Sequence, residues 1–131
     1  MMPVRVCMVS DTHNKHGLVK IPECDLLLHA GDMSGRGEDW QIESTLRWMH
    51  SSLAKEGAAA LGNHDFLGQE RPARMRELVS QFRIHHLENT SMELCGLKVH
   101  GSPWTPWFFD WSYNFPQDPA EYRDFARVTW S

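Results

Sequence analysis

The sequence predicts an α/β fold with some antiparallel pairing. Short apolar runs that suit buried strands alternate with stretches of helical periodicity, and a hairpin signal follows them. A third observation concerns chemistry. Each of the first three strand candidates ends in a polar cluster: Asp11-Thr12-His13, Gly31-Asp32 and Gly62-Asn63-His64-Asp65. Sheets of this kind gather ligands at the carboxyl ends of their strands.

Val4–Ser10 reads as the first strand and Asp25–His29 as the second, with Asn14-Lys15-His16-Gly17 a loop between them. Gly35-Arg36-Gly37 is a flexible crossover. Glu38–Leu53 follows as an amphipathic helix, because Ile42, Leu46 and Met49 keep three- and four-residue spacing. Ala58–Leu61 has weak strand propensity and is assigned as a strand because it delivers Gly62-Asn63-His64-Asp65. Arg71–Phe82 is the second helix, with Pro72 tolerated in its first turn and Met75, Leu78, Val79 and Phe82 as its buried stripe. His85–Leu87 suits a short strand. Ser91–Leu94 and Leu97–His100 flank Cys95-Gly96, a two-residue turn with glycine second. Trp104–Pro116 reads as an irregular aromatic loop, and Asp118–Val128 as a last helix with Tyr122, Phe125 and Ala126 on one face. No linker or repeat interrupts residues 1–131, which are expected to form one domain.

Composition narrows the partners. At 131 residues the chain can bury a core, and a net charge of −4 argues against long nucleic acid, whose phosphates select basic surfaces. No apolar run approaches the roughly 18 residues that span a bilayer. Cys7, Cys24 and Cys95 form neither a disulfide framework nor a zinc motif, and Met1–Val4 lacks the architecture of a signal peptide. A cytoplasmic location with no membrane contact is therefore expected.

Asp11 and His13 are two residues apart, so in an extended segment they project to the same side. Asp32 and Asn63 arrive from neighbouring strands. Two carboxylates, an imidazole and an amide oxygen converging there make a ligand set for divalent metals. Without thiolate, the set favours manganese, iron, cobalt or zinc over copper. Each residue taken alone could instead be a turn former, since Asp and Asn cap loops. It is the coincidence of three such clusters at strand ends that favours a site.

The order D-x-H, then G-D, then G-N-H-D, resembles the N-terminal signature of the calcineurin-like metallophosphoesterases. Gly101-Ser102-Pro103-Trp104-Thr105-Pro106-Trp107, followed by Ser112-Tyr113-Asn114-Phe115, narrows the resemblance to the branch of metallophosphoesterase-domain proteins linked to cyclic-nucleotide phosphodiesterase activity. The resemblance implies an α/β/β/α sandwich, of which this chain supplies the N-terminal part. It implies two divalent ions, manganese foremost. Asp11 and His13 would hold the first, Asp32 would bridge both, and Asn63 would serve the second. His64 would act on the scissile ester as a catalytic residue, with Asp65 orienting its imidazole. Asn63, His64 and Trp104 are the expected substrate contacts, and the substrate is a small phosphate ester, cyclic nucleotides included.

The family's further histidine motifs, of the T-H-G-P and G-H-x-H types, do not occur here. About half of a binuclear site is therefore expected in this chain, completed by a second copy or by a C-terminal chain. The alternatives are a truncated, catalytically incompetent metal- or nucleotide-binding protein. Among the other histidines, His29 is expected to be a satisfied core residue, and His16, His50, His85 and His86 to be solvated or structural. Trp104, Trp107, Phe108, Phe109 and Trp111 either cover one edge of the sheet or line a pocket that stacks a nucleobase.

Overall fold

In the computed structural model, which describes residues 2–130, four parallel strands form a sheet in sequential order. They are β1 (Val6–Val9), β2 (Leu26–His29), β3 (Glu56–Ala59) and β4 (His85–His86). Val6 pairs with Leu26, Leu26 with Glu56, and Ala58 with His85. A strand buried on both faces needs no alternation of apolar and polar residues, which is why Leu26-Leu27-Leu28 can sit at the centre.

Helix α1 (Asp39–His50) links β2 to β3, and α2 (Leu67–Glu70) with α3 (Pro72–Phe82) links β3 to β4. Ile42, Leu46 and Met49 of α1 and Met75, Leu78 and Phe82 of α3 bury against Leu27 and Ala59 on one sheet face. The other face carries a hairpin of β5 (Thr90–Leu94) and β6 (Leu97–Gly101), where Leu94 and Val99 pack with Leu26, Ala58 and Leu87. The layers thus run helix, sheet, hairpin. Among the described residues no helix is long and apolar enough to cross a membrane.

Several boundaries differ from the sequence expectation for local reasons. The first helix starts at Asp39, because Glu38 is its N-cap and closes a capping box with Gln41. It stops at His50, where the Ser51 and Ser52 hydroxyls donate to the carbonyls of Trp48 and Met49 at 2.8 and 2.7 Å. The third strand is Glu56–Ala59 rather than Ala58–Leu61. Its Gly57 lies in the sheet, where a Cβ would stand 2.9 Å from Ile84 Cδ1 and push the end of that side chain aside. Pro72 does open α3, and Arg83 ends it at φ 56°. Cys95 (φ 50°) and Gly96 (φ 77°) form the expected hairpin turn, both left-handed as a tight two-residue connection requires.

The aromatic segment is not wholly irregular. β7 (Thr105–Pro106) runs parallel to β8 (Asn114–Phe115) as a separate two-stranded pair. The last helix, α4 (Pro119–Trp130), is capped by Asp118, whose Oδ2 accepts from the N–H groups of Ala120 and Glu121 at 3.1 Å.

Candidate metal centre at the strand ends

The loops that leave β1, β2 and β3 are stitched side by side. Asp11, His13 and Asn14 donate their N–H groups to the carbonyls of Gly31, Asp32 and Met33 at 2.8, 3.0 and 3.0 Å, continuing the ladder beyond the strands. The stitching holds Asp11, His13, Asn14 and Asp32 in the left-handed region at φ 55°, 41°, 62° and 53°. Each such residue costs about 1–3 kcal/mol and persists only where its surroundings fix it. The same hydrogen bonds set these residues side by side at the strand ends.

Gly62 makes the close approach possible. A Cβ on it would overlap the Asp32 carboxylate and backbone nitrogen. With none there, the His64 N–H donates to Asp32 Oδ1 at 3.0 Å.

Ligand atoms of His13, Asp32 and His64 all lie within 4.8 Å of one another. His13 Nε2 stands 3.8 Å from Asp32 Oδ2, and the His13 and His64 rings meet edge-on with centroids 4.7 Å apart. The Asn63 amide reaches both Asp32 oxygens; with its nitrogen turned inward it donates at 3.1 and 3.2 Å. Turned over, it would set an acceptor against the carboxylate, the arrangement that a shared cation stabilises. Two imidazoles, a carboxylate and an amide oxygen fit a divalent cation that prefers nitrogen and oxygen donors. Asp11 lies outside this group: its side chain is exposed, and its link to the site is through its backbone.

His64 is anchored differently from the sequence expectation. No hydrogen bond joins Asp65 to its ring. Instead His64 Nδ1–H donates to the Gly35 carbonyl at 2.9 Å, which leaves the Nε2 lone pair free. Asp65 is fully buried and ties two loops together. Its carboxylate accepts from the N–H groups of Met33, Ser34 and Gly62 at 3.2, 3.0 and 2.9 Å, and from the Ser34 hydroxyl at 2.6 Å. Burial pushes the Asp65 carboxyl up, and those four donors pull against it. The partners of Asp65 depend on loop paths that spacing does not encode.

Behind the site, His29 is a satisfied core histidine. The Gly31 N–H donates to its Nδ1 at 3.2 Å, so Nε2 carries the proton and donates to Thr12 Oγ1 at 2.9 Å. Burial lowers its pKa to about 4, keeping it neutral. His16 is also structural, bonded to Ser44 and Thr45 and resting on Trp48.

The aromatic ring against His64 is Trp111, with centroids 4.0 Å apart and planes tilted by 33°. Trp104 packs on Tyr113 and Phe125 instead, at 5.4 and 4.8 Å. Beyond Trp111 opens a cavity of about 480 Å³ lined also by Arg36, Glu38, Phe66, Glu70 and Phe109. The sequence placed Trp111 in an aromatic cluster, but nothing in its spacing ties it to His64.

Comparison with known proteins adds a family. Residues 4–130 match the model of the calcineurin-like phosphoesterases. The chain is 25% identical to human "Metallophosphoesterase domain-containing protein 1", covering 88% of this chain and 42% of that protein. It is 29% identical to a UPF0046 protein of Caenorhabditis elegans, covering 77% of this chain and 41% of that one. It is also 34% identical to "Probable rhamnogalacturonate lyase C" of Emericella nidulans, covering 96% of this chain but only 13% of that protein. The chain thus spans less than half the length of these curated relatives.

Proposed function

Since this chain belongs to the calcineurin-like phosphoesterase family over residues 4–130, we propose that it hydrolyses a small phosphate mono- or diester, cyclic nucleotides among them, with divalent metal at its strand ends. The observation that carries the reading is the convergence of His13, Asp32 and His64 within 4.8 Å on three successive loops. His13, Asp32 and Asn63 would hold the metal, with Asp11 as the further donor beside His13 and Asp32 as the bridge between two ions. Manganese is the first choice, ahead of iron, zinc and cobalt. Such metal supplies Lewis-acid polarisation of the phosphoryl oxygens and activates water near neutral pH.

The remaining work falls to this chain's own groups. His64, with its Nδ1 proton committed to Gly35, would act through Nε2: carrying a second proton there, it gives that proton to the leaving oxygen and returns to the neutral Nδ1–H form. Asn63 contacts the phosphoryl group from the same loop. Asp65 acts at one remove, by holding the loops of Asp32 and Asn63 in register. The cavity beyond Trp111 suits a flat, partly polar leaving group such as a nucleobase. Completion of the ligand set by a second copy or by further chain belongs to the same proposal, as does a cytoplasmic setting.

Hydrolysis of bis-p-nitrophenyl phosphate, titrated with manganese, tests this with Asp32→Ala in parallel. Metal-dependent turnover is expected in the wild type, and the variant is expected to lose turnover and manganese binding together. A second reading, metal or nucleotide binding without turnover, is favoured by the small donor set. Manganese bound by the wild type with no hydrolysis at any concentration selects that reading.

A further inference from the structure

We propose that Gln41, assisted by Asn14, is a positioning residue that fixes the tautomer and the aim of His64 through the Gly35–Arg36 peptide. The carbonyl of that peptide unit accepts from His64 Nδ1 at 2.9 Å. Its N–H, on Arg36, donates to Gln41 Oε1 at 3.1 Å. The preceding peptide is held as well: the Gly35 N–H donates to Asn14 Oδ1 at 3.1 Å, and Asn14 Nδ2 donates to the Gln41 carbonyl at 2.9 Å. Asn14 follows His13 directly, so one end of this clamp is continuous with the metal-facing loop.

A carbonyl oxygen can only accept, so this peptide selects the imidazole form with a proton on Nδ1. Nε2 then carries the lone pair and is the ring nitrogen left for chemistry. Hydrogen bonds at both ends of one peptide unit polarise each other, so an acceptor on Arg36 N–H strengthens the carbonyl that grips His64. Gln41 also caps α1, since the same Oε1 accepts from the Glu38 N–H at 3.2 Å. Capping alone would require nothing of Arg36. The second bond, reaching outside the helix, is what connects this side chain to the site.

The inference rests on the phosphoesterase reading for its purpose, but its readout does not. Long-range proton–nitrogen correlation spectra of the metal-free protein in mildly alkaline buffer report the His64 tautomer directly. The wild type is expected to show Nδ1–H alone, Gln41→Ala a mixture, and Gln41→Glu, which keeps the acceptor, the wild-type form. Glu38→Ala removes the other half of the capping box and is expected to lower stability without moving the His64 signals. Asn14→Gly, which tolerates the left-handed backbone, should shift the tautomer in the same direction and serves if Gln41→Ala does not fold. In turnover, Gln41→Ala should lower kcat about 10- to 100-fold with a smaller change in KM. Unchanged His64 nitrogen shifts in both Gln41→Ala and Asn14→Gly overturn the proposal. A tautomer that follows Gln41 in a protein without hydrolysis upholds it while the phosphoesterase reading falls.

Discussion

His29 is buried between a loop N–H and a loop hydroxyl, and both of its ring nitrogens are already committed when neutral. Protonation would place a charge in the sheet and turn an acceptor into a donor facing another donor. Its folded pKa, about 4, lies below the ordinary histidine value, so the unfolded chain binds more protons between the two. The contribution of His29 to stability is therefore complete above about pH 6.5 and is lost as pH falls towards 4. At roughly 1.4 kcal/mol per pH unit the loss amounts to about 3 kcal/mol. Urea unfolding with chelator present, from about pH 7 to about pH 4.5, should show that slope, and His29→Gln should flatten it. A wild-type slope no steeper than the variant's would assign the acid sensitivity to other groups. This histidine's role was legible from its place in an apolar strand. That of Trp111 was not, because contact with His64 depends on how a loop distant in sequence returns to the strand ends.

Among elements, the telling contact is the one Asp65 makes between the loop after β2 and the loop after β3. One carboxylate satisfies three backbone N–H groups and a hydroxyl. Asp65→Ala strands those donors in a buried place, and a loss of about 3 kcal/mol in denaturant unfolding is expected. A loss below about 1 kcal/mol would mean that the loops hold register without it. The same scale shows what patterning can reveal. α1 and α3 were readable from their apolar spacing, and the hairpin from its Cys95-Gly96 turn. Glu56 and Gly57 have little intrinsic preference for a strand and are extended only because Leu26 and Leu27 pair with them. α2 is one short turn, and β7 pairs with β8 over two residues each, too short for any period to register.

For the molecule as a whole, strand order decides how the faces are filled. A parallel sheet in sequential order with right-handed crossovers sends every connecting helix to the same side. The other side is left to the hairpin, which covers the part near β3 and β4. At β1, Met8 points to that side and remains 75% exposed. Of the α/β/β/α sandwich that the resemblance implies, the first three layers are therefore present among the described residues, with the second sheet narrower than the first. Met8→Lys should leave stability within about 0.5 kcal/mol. If copies of the chain meet on this face, the substitution should also shift sedimentation towards monomer; an unchanged distribution would exclude the face as their contact.

Sequential pairing also sets a timetable. Each strand of the sheet docks on the one made just before it, so β1 and β2 can join once residue 29 has left the ribosome, and β3 can add without displacing anything. The groups at the strand ends leave the ribosome in three instalments, His13, Asp32 and finally Asn63 with His64, while Trp111 follows only after the hairpin. A nascent chain halted just before the hairpin would carry His13, Asp32, Asn63 and His64 and lack the Trp111 ring that stands beside His64.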